Sequence, residues 1–395
     1  MGRIFQARPM VTAETHRTTL FEIFFDLVFV FGFIRVTAFM GDRPSPVRLT
    51  QGFLVLLLLW ISWLVYSWLG NQARADVGVM RVGVTGAMAA IFLAALVIPD
   101  AWATGPGTRA PRLLLVLSFV VVRLIHLALY YWAADSERLR RTVRLYALSS
   151  VLSWIPLALG AVLGGTAQIL LWTVALTIDM SGGVLASVLS GWPVHSPGHF
   201  TERHSLVVII ALGESLISVG AGIGARMIHQ RILLAALLTI AVTVCLYWLY
   251  SASAATAALA LTRESGLRRD RVAANSYSLA HFPLLAGTIY VALGVEEVFA
   301  GLAHKESHGT SEWIAAIALF GGTALYLAGR ATFLSLSVRR VRLEQFLAPV
   351  AALVLLPAGR YLPGLAALGL LAAFLAALLS YEAWTRRSAT IGRAE

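Results

Sequence analysis

The chain has 395 residues, of which 58% are hydrophobic and 13% charged, with a formal net charge of +11. Soluble domains carry about 45–50% apolar and about 25% charged residues, so this excess cannot be buried in a globule. Twelve helical spans of about 20 residues would use about 240 positions, close to the apolar share, and the remaining gaps are too short for a soluble catalytic domain.

Apolar runs predict spans in chain order at 19–40, 49–70, 77–98, 112–133, 143–163, 166–187, 204–224, 231–252, 272–295, 313–336, 343–359 and 362–382. Merging the last two across Pro357 to Pro363 is the rival topology. Residues 1–17 are polar and no small-residue cleavage site follows Leu20, so no cleavable signal is expected. Nineteen basic residues fall on the side of the N-terminus and eight on the other. By the positive-inside rule this puts both termini in the cytoplasm, with the 134–142 and 253–271 loops on that side.

Residue counts remove several functions. The single lysine, Lys305, lies in the polar run AHKESH, which leaves no Walker A loop and no intramembrane Schiff base. The single cysteine, Cys245, excludes disulfides and thiolate metal sites within one chain. The arginines are scattered through short loops without interleaved aromatics, so membrane orientation accounts for them and nucleic acid is not an expected partner. No cofactor and no metal is expected: His304, Glu306 and His308 sit in a run read as a solvated loop.

The chain also carries a weak internal echo. Glu14, His16, Asp26 and Gly32 match Glu202, His204, Glu214 and Gly220 at one offset, as do Trp60 and Trp248. A parallel six-plus-six repeat, with halves 1–187 and 188–395, would produce this spacing.

The functional candidates are the charges inside the spans. Glu22, Asp26, Asp179 and Glu214 face Arg35, Arg81, Arg123 and Arg330 in formal charge, with His126 and His281 beside them. Each ionised group at a helix centre costs about 2.5–3.5 kcal/mol on insertion scales, so these should face the bundle interior, pair or line water. Glu22 and Asp26 are i,i+4 on one face, and Arg81, entering from the same side, is at a suitable depth to compensate them. Arg123 is assigned the same compensating role. His199, Arg203 and Glu214 share a face of the seventh span, with Glu214 near mid-bilayer. Asp179 shares a face with Gln168. Carboxylates and imidazoles at one depth are the ingredients of a proton relay or small-ion site; structural ion pairs would use the same residues. Trp60, Trp63, Ser67 and Asn71 form a helical stripe that lines a cavity or serves packing. Gly220, Gly222 and Gly224, and the ridge Gly369, Ala373, Ala377, mark close helix packing, the ridge being also a candidate homodimer surface.

Three stretches carry a resemblance: TLFEIFFDLVFVFGF (19–33), HFTERHSLVVIIALGESLISVG (199–220) and AHFPLLAGTIYVALGVEE (280–297). They resemble the signatures of the bacterial low temperature requirement protein A family. The resemblance implies a multi-pass inner-membrane protein, and it marks Glu22, Asp26, His199, Glu202, Arg203, Glu214, His281 and Glu296. The acidic stretch expected after span two is here NQARADVGVM, which keeps Asn71, Arg74 and Asp76 and lacks a second acid.

Three functions are open at this stage: an ion- or proton-coupled transporter of a small solute, an intramembrane enzyme acting on a lipid or isoprenoid, and a channel or structural component. The enzyme lacks an aspartate-rich diphosphate motif, an H-E-x-x-H zinc site and a G-x-S-x-G nucleophile turn. The channel lacks a continuous polar pore.

Overall fold

The computed structural model describes residues 9–103, 105, 107–189, 191–224, 229–303, 310–338 and 343–391. Lys305, His304, Glu306 and His308 lie outside the described residues.

Among the described residues, twelve helices are long and apolar enough to cross a membrane. They are α1 Leu20–Asp42, α2 Pro46–Gln72, α3 Gly78–Val97, α4 Arg109–Ala133, α5 Glu137–Leu163, α6 Gly165–Leu189, α7 Pro197–Ile223, α8 Gln230–Arg263, α9 Gly266–Ala303, α10 Trp313–Val338, α11 Leu343–Tyr361 and α12 Gly364–Ile391. The last two are separate helices, which settles the span count against the merged topology.

Local chemistry sets the ends. Thr19 and Glu22 form a reciprocal capping box at the start of α1. Ser45 caps α2 ahead of Pro46 at its first turn, and Ser136 caps α5. The reversal from α5 to α6 is made by Gly164 and Gly165, at φ +71° and +58°, where a side chain would be strained. The helices outrun the apolar runs that announced them. α8 has 34 residues, about 51 Å at 1.5 Å per residue, so the expected 253–271 loop shrinks to Glu264 and Ser265. Alanine, leucine and arginine, strong helix formers, fill that extension.

The chain divides into two compact units. The first comprises residues 1–207 and 258–282, the second 208–257 and 283–395. In the first, α5 packs along α6 and α3 along α4. Its centre is α2, whose most apolar stretch is 89% buried. Residues 273–279 of α9 form a π-helical turn; the widened turn leaves Ser278 able to accept from two indoles of α2, Trp60 Nε1 on its carbonyl at 3.1 Å and Trp68 Nε1 on its hydroxyl at 3.0 Å.

In the second unit, Arg330 of α10 is held bidentately by Glu382 of α12 at 2.7 and 2.6 Å. Its Nε donates to the Leu249 carbonyl and the Ser253 hydroxyl of α8, both at 2.8 Å. α9 and α10 approach backbone to backbone: a Cβ on Gly329 would stand 2.7 Å from Leu284 N. Of the glycines expected to mark tight packing in α7, Gly222 does so against the Glu296 carbonyl. Gly220 has open space around it, and Gly224 instead ends the helix at φ +59°.

Candidate functional site

The capping box that starts α1 uses one oxygen of Glu22: Oε2 accepts from Thr19 N at 2.9 Å and from the Thr19 hydroxyl at 2.9 Å. The other oxygen turns inward and accepts from His199 Nε2 at 2.8 Å. One helical turn along, Asp26 takes a bidentate pair from Arg203, Nη1 to Oδ2 at 2.6 Å and Nη2 to Oδ1 at 2.8 Å. Arg203 Nη1 also reaches the Glu22 carbonyl at 3.0 Å. An i,i+4 pair of acids on α1 thus meets an i,i+4 His/Arg pair on α7, two rungs of one ladder. Asp26 and His199 are fully buried, Arg203 is 1% exposed and Glu22 4%.

α2 supplies the third wall. Trp63 Nε1 donates to Asp26 Oδ1 at 2.8 Å, and Asn71 Nδ2 faces His199 Nδ1 at 3.3 Å. Gly70 lies between them, where a Cβ would stand 2.6 Å from Glu22 Oε1; the missing side chain is what admits the carboxylate. The orientation of Asn71 is set by the backbone, since its Oδ1 accepts from His195 N at 2.8 Å and its Nδ2 donates to the Ser196 carbonyl at 2.7 Å. An amide donor facing Nδ1 requires a lone pair there, so the proton of a neutral His199 sits on Nε2, pointed at Glu22. On this assignment Glu22, Asp26 and Arg203 leave the ladder one positive charge short, and the Thr19 donors and the N-terminal end of α1 partly offset the difference.

Residues 9–19 lie across this end. Thr12 donates to the Gly70 carbonyl at 2.8 Å, Arg74 N to the Met10 carbonyl at 2.9 Å, Ser196 Oγ to the Glu14 carbonyl at 2.8 Å, and Thr18 N to Glu202 Oε2 at 3.0 Å. The strap brings His16 over the site, its ring 5.3 Å from that of His199. Partial burial and the neighbouring His199 hold His16 below the usual imidazole range. Beside it, Arg74 clamps Asp76 at 2.6 and 3.0 Å and keeps that carboxyl below its ordinary range.

Among the described residues, His16, Glu22 and His199 each offer a ligand atom within 4.8 Å of one another, a trio that could touch a metal. The donor chemistry is a poor fit. Both nitrogens of His199 are engaged, and an ion on Nε2 would require a proton on Nδ1, against the Asn71 donor.

From the ladder a line of rings leads away through the first unit. Trp63 meets His204 edge-on at 5.0 Å, His204 meets His281 at 5.2 Å, and His281 stacks on Tyr277 at 5.1 Å. His204 donates through Nδ1 to the Phe200 carbonyl at 2.8 Å, which leaves Nε2 as a buried acceptor without a hydrogen-bond partner. His281 directs Nδ1 at the Ser276 carbonyl at 3.3 Å.

The structure therefore assembles Glu22, Asp26, His199 and Arg203, with Glu202 at the rim and His281 two rings from Asp26. Arg81 is not the compensating cation: it stands exposed on α3, and Asp26 is paired by Arg203. A matching depth along the helix did not determine which way the side chain faces. Arg123 of α4 compensates a different acid, donating to Asp179 Oδ1 of α6 at 2.9 Å, with Ser150 on the same oxygen at 2.9 Å. His126 is buried one turn further along α4. Gln168 bonds the Ala101 carbonyl at 2.9 Å and not Asp179. Glu214 is buried and Glu296 half-buried, both in the second unit. Sequence reading named Trp63 only as a member of a stripe, Asn71 as a member of that stripe and of the segment after span two, and His204 only as an echo of His16. Their polar or aromatic character on a face shared with apolar neighbours was the available signal.

Twelve membrane-length helices among the described residues, with a buried ladder of charges at one end of α1, α2 and α7, define a multi-pass integral membrane protein. The model of the family described as bacterial low temperature requirement A protein (LtrA) matches residues 17–380, and the chain belongs to that family. An uncharacterized protein of Rhizobium meliloti (strain 1021) is 26% identical over 320 residues, covering 78% of this chain and 75% of its own. No solved structure matches.

Proposed function

We propose that the protein is a proton- or ion-coupled transporter of a small solute in the bacterial inner membrane, with both termini cytoplasmic. The observation that carries the reading is the ladder itself: two carboxylates, one guanidinium and a His199 whose hydrogen bonds specify the neutral ring. A buried site one positive charge short favours uptake of a proton or monovalent cation over remaining vacant. Only one proton is needed to neutralise Glu22, and His16 on the strap is a titratable ring at its entrance. The line Trp63, His204, His281 gives the relay a direction into the helices. Glu214, buried in the second unit, is assigned a proton- or ion-binding role of its own, and the basic residues on the side of the N-terminus support the orientation.

The test is flux in proteoliposomes with an internal pH dye and an imposed pH gradient, across a panel of small solutes. Glu22→Gln keeps an acceptor for His199 Nε2 and turns its amide N–H toward the Thr19 hydroxyl, which can accept, at the loss of the partner of Thr19 N; folding is expected to persist while gradient-driven flux is lost. Glu214→Gln is expected to do the same. Wild-type vesicles without proton-linked flux for any solute, together with destabilised glutamine variants, would overturn the transport reading in favour of structural ion pairs.

A further inference from the structure

Arg123, Arg203 and Arg330, all within spans, are each bound by a carboxylate. Arg35 is the exception in α1: among the described residues no acid pairs with it. It follows Asp26 by nine residues, which at about 100° per residue turns it to the opposite side of the helix, about 14 Å further along the axis. The ladder therefore cannot neutralise it. On that outward side Phe24, Leu27 and Ala38 are exposed, as are Phe92, Leu93 and Leu96 of the adjoining α3. Phe31 and Phe92 meet in the seam between the two helices, ring centroids 5.1 Å apart.

The depth of the charge is fixed by what it touches. Arg35 Nη2 donates to the Leu96 carbonyl at 3.4 Å, in a bond that is itself exposed, and Leu96 is the last residue but one of α3. The guanidinium thus stands at the end of the helices away from the ladder, where long basic side chains meet lipid headgroups. A helix C-terminus supplies about half a negative charge, which leaves about half of the guanidinium uncompensated. The acids at this end do not supply the rest: Asp42 faces Arg43 at 3.9 Å, and Asp100 is exposed and unpaired with Arg35. One turn beyond Arg35, Arg48 of α2 lies 4.3 Å over the Phe39 ring and donates to the Phe39 carbonyl at 3.3 Å, again with no acid among the described residues. Two cations short of partners, beside an exposed apolar seam, match an anion that carries an apolar tail.

We propose that the seam between α1 and α3 binds an anionic phospholipid, with its phosphate on the Arg35 guanidinium and one acyl chain laid along Phe31 and Phe92 toward Leu27. Guanidinium and phosphate make charge-assisted hydrogen bonds, and the exposed rings give the chain its track. The inference does not rest on the transport reading, since a membrane protein of any activity can hold a lipid.

The test uses the full-length protein in detergent, titrated with dioleoyl phosphatidylglycerol, dioleoyl phosphatidylcholine or inorganic phosphate. Native mass spectrometry reads bound lipid and thermal unfolding reads stabilisation. Phosphatidylglycerol is expected to bind about tenfold more tightly than phosphatidylcholine and to raise the melting temperature, and inorganic phosphate to do neither. Arg35→Gln should weaken phosphatidylglycerol about tenfold, the effect of one hydrogen bond to a charged group, and abolish its stabilisation. Arg35→Lys keeps the charge and should retain most of the preference, and Arg81→Gln, at an exposed position of α3, should bind like the wild type. The proposal is overturned if the two lipids bind wild type alike, if inorganic phosphate stabilises as the lipid does, or if Arg35→Gln still binds phosphatidylglycerol like the wild type. The wild-type comparison of the lipids decides the matter even where a variant is lost to unfolding.

Discussion

Replacing Arg203 with methionine keeps most of the side-chain volume and deletes the charge. Asp26 would then keep one donor, Trp63 Nε1 at 2.8 Å, and lose two at 2.6 and 2.8 Å. At a charge separation of about 4 Å and an effective dielectric of about 20, the lost Coulomb energy is about 4 kcal/mol. Breaking buried pairs from one side is known to cost about 3–5 kcal/mol because the remaining charge is stranded, and the two figures agree. Asp26→Asn in the same background removes the stranded charge, so the double variant should recover to within about 2 kcal/mol of the wild type. Steric-trap or denaturant unfolding in bicelles of the wild type, both single variants and the double variant gives the coupling energy directly. A loss below about 1 kcal/mol for Arg203→Met, or additive losses in the double variant, would refute the ladder as an energetic unit.

Other outcomes follow from the same geometry. Gly70→Ala places a methyl 2.6 Å from Glu22 Oε1 and should push the carboxylate off His199, costing about 1–3 kcal/mol as overpacking does; unchanged melting and an unchanged His199 NMR signal would contradict this. The fold holds His16 below its usual range, so its contribution to stability is complete above about pH 6.5 and is lost as the pH falls through the folded value. His16→Gln should flatten that acid-side loss, and identical pH–stability curves for variant and wild type would exclude His16 as the titrating group. For orientation, Arg140→Cys and Ser265→Cys in a Cys245→Ser background should resist an impermeant thiol reagent in intact cells and react after permeabilisation; labelling of intact cells would invert the topology.

Which parts of this site could be read from the chain is decided by range. Glu22 with Asp26, and His199 with Arg203, are visible because four residues make one helical turn, and so is the apolar length of each span. That α1 lies against α7 is not local information. The partner of Asp26 was therefore sought at equal depth in Arg81, whose face is turned outward. Trp63 and Asn71 were legible as a face of α2 but not as hydrogen-bond donors, because their acceptors, Asp26 of α1 and the Ser196 carbonyl ahead of α7, are 37 and 125 residues away in sequence. The π-turn at 273–279 left no signature in the apolar pattern. It became visible only through what Ser278 bonds.

The ladder also has a consequence for biogenesis. Glu22 and Asp26 leave the ribosome 177 residues before His199 and Arg203. At about 5–20 residues per second, the first helix waits roughly 9–35 s for the chain that neutralises it. During that interval two acids without their partners sit within two turns of its leading end. α1 must stay at the headgroup boundary, or carry protons, until α7 arrives. Translation slows on cooling, and the wait lengthens with it.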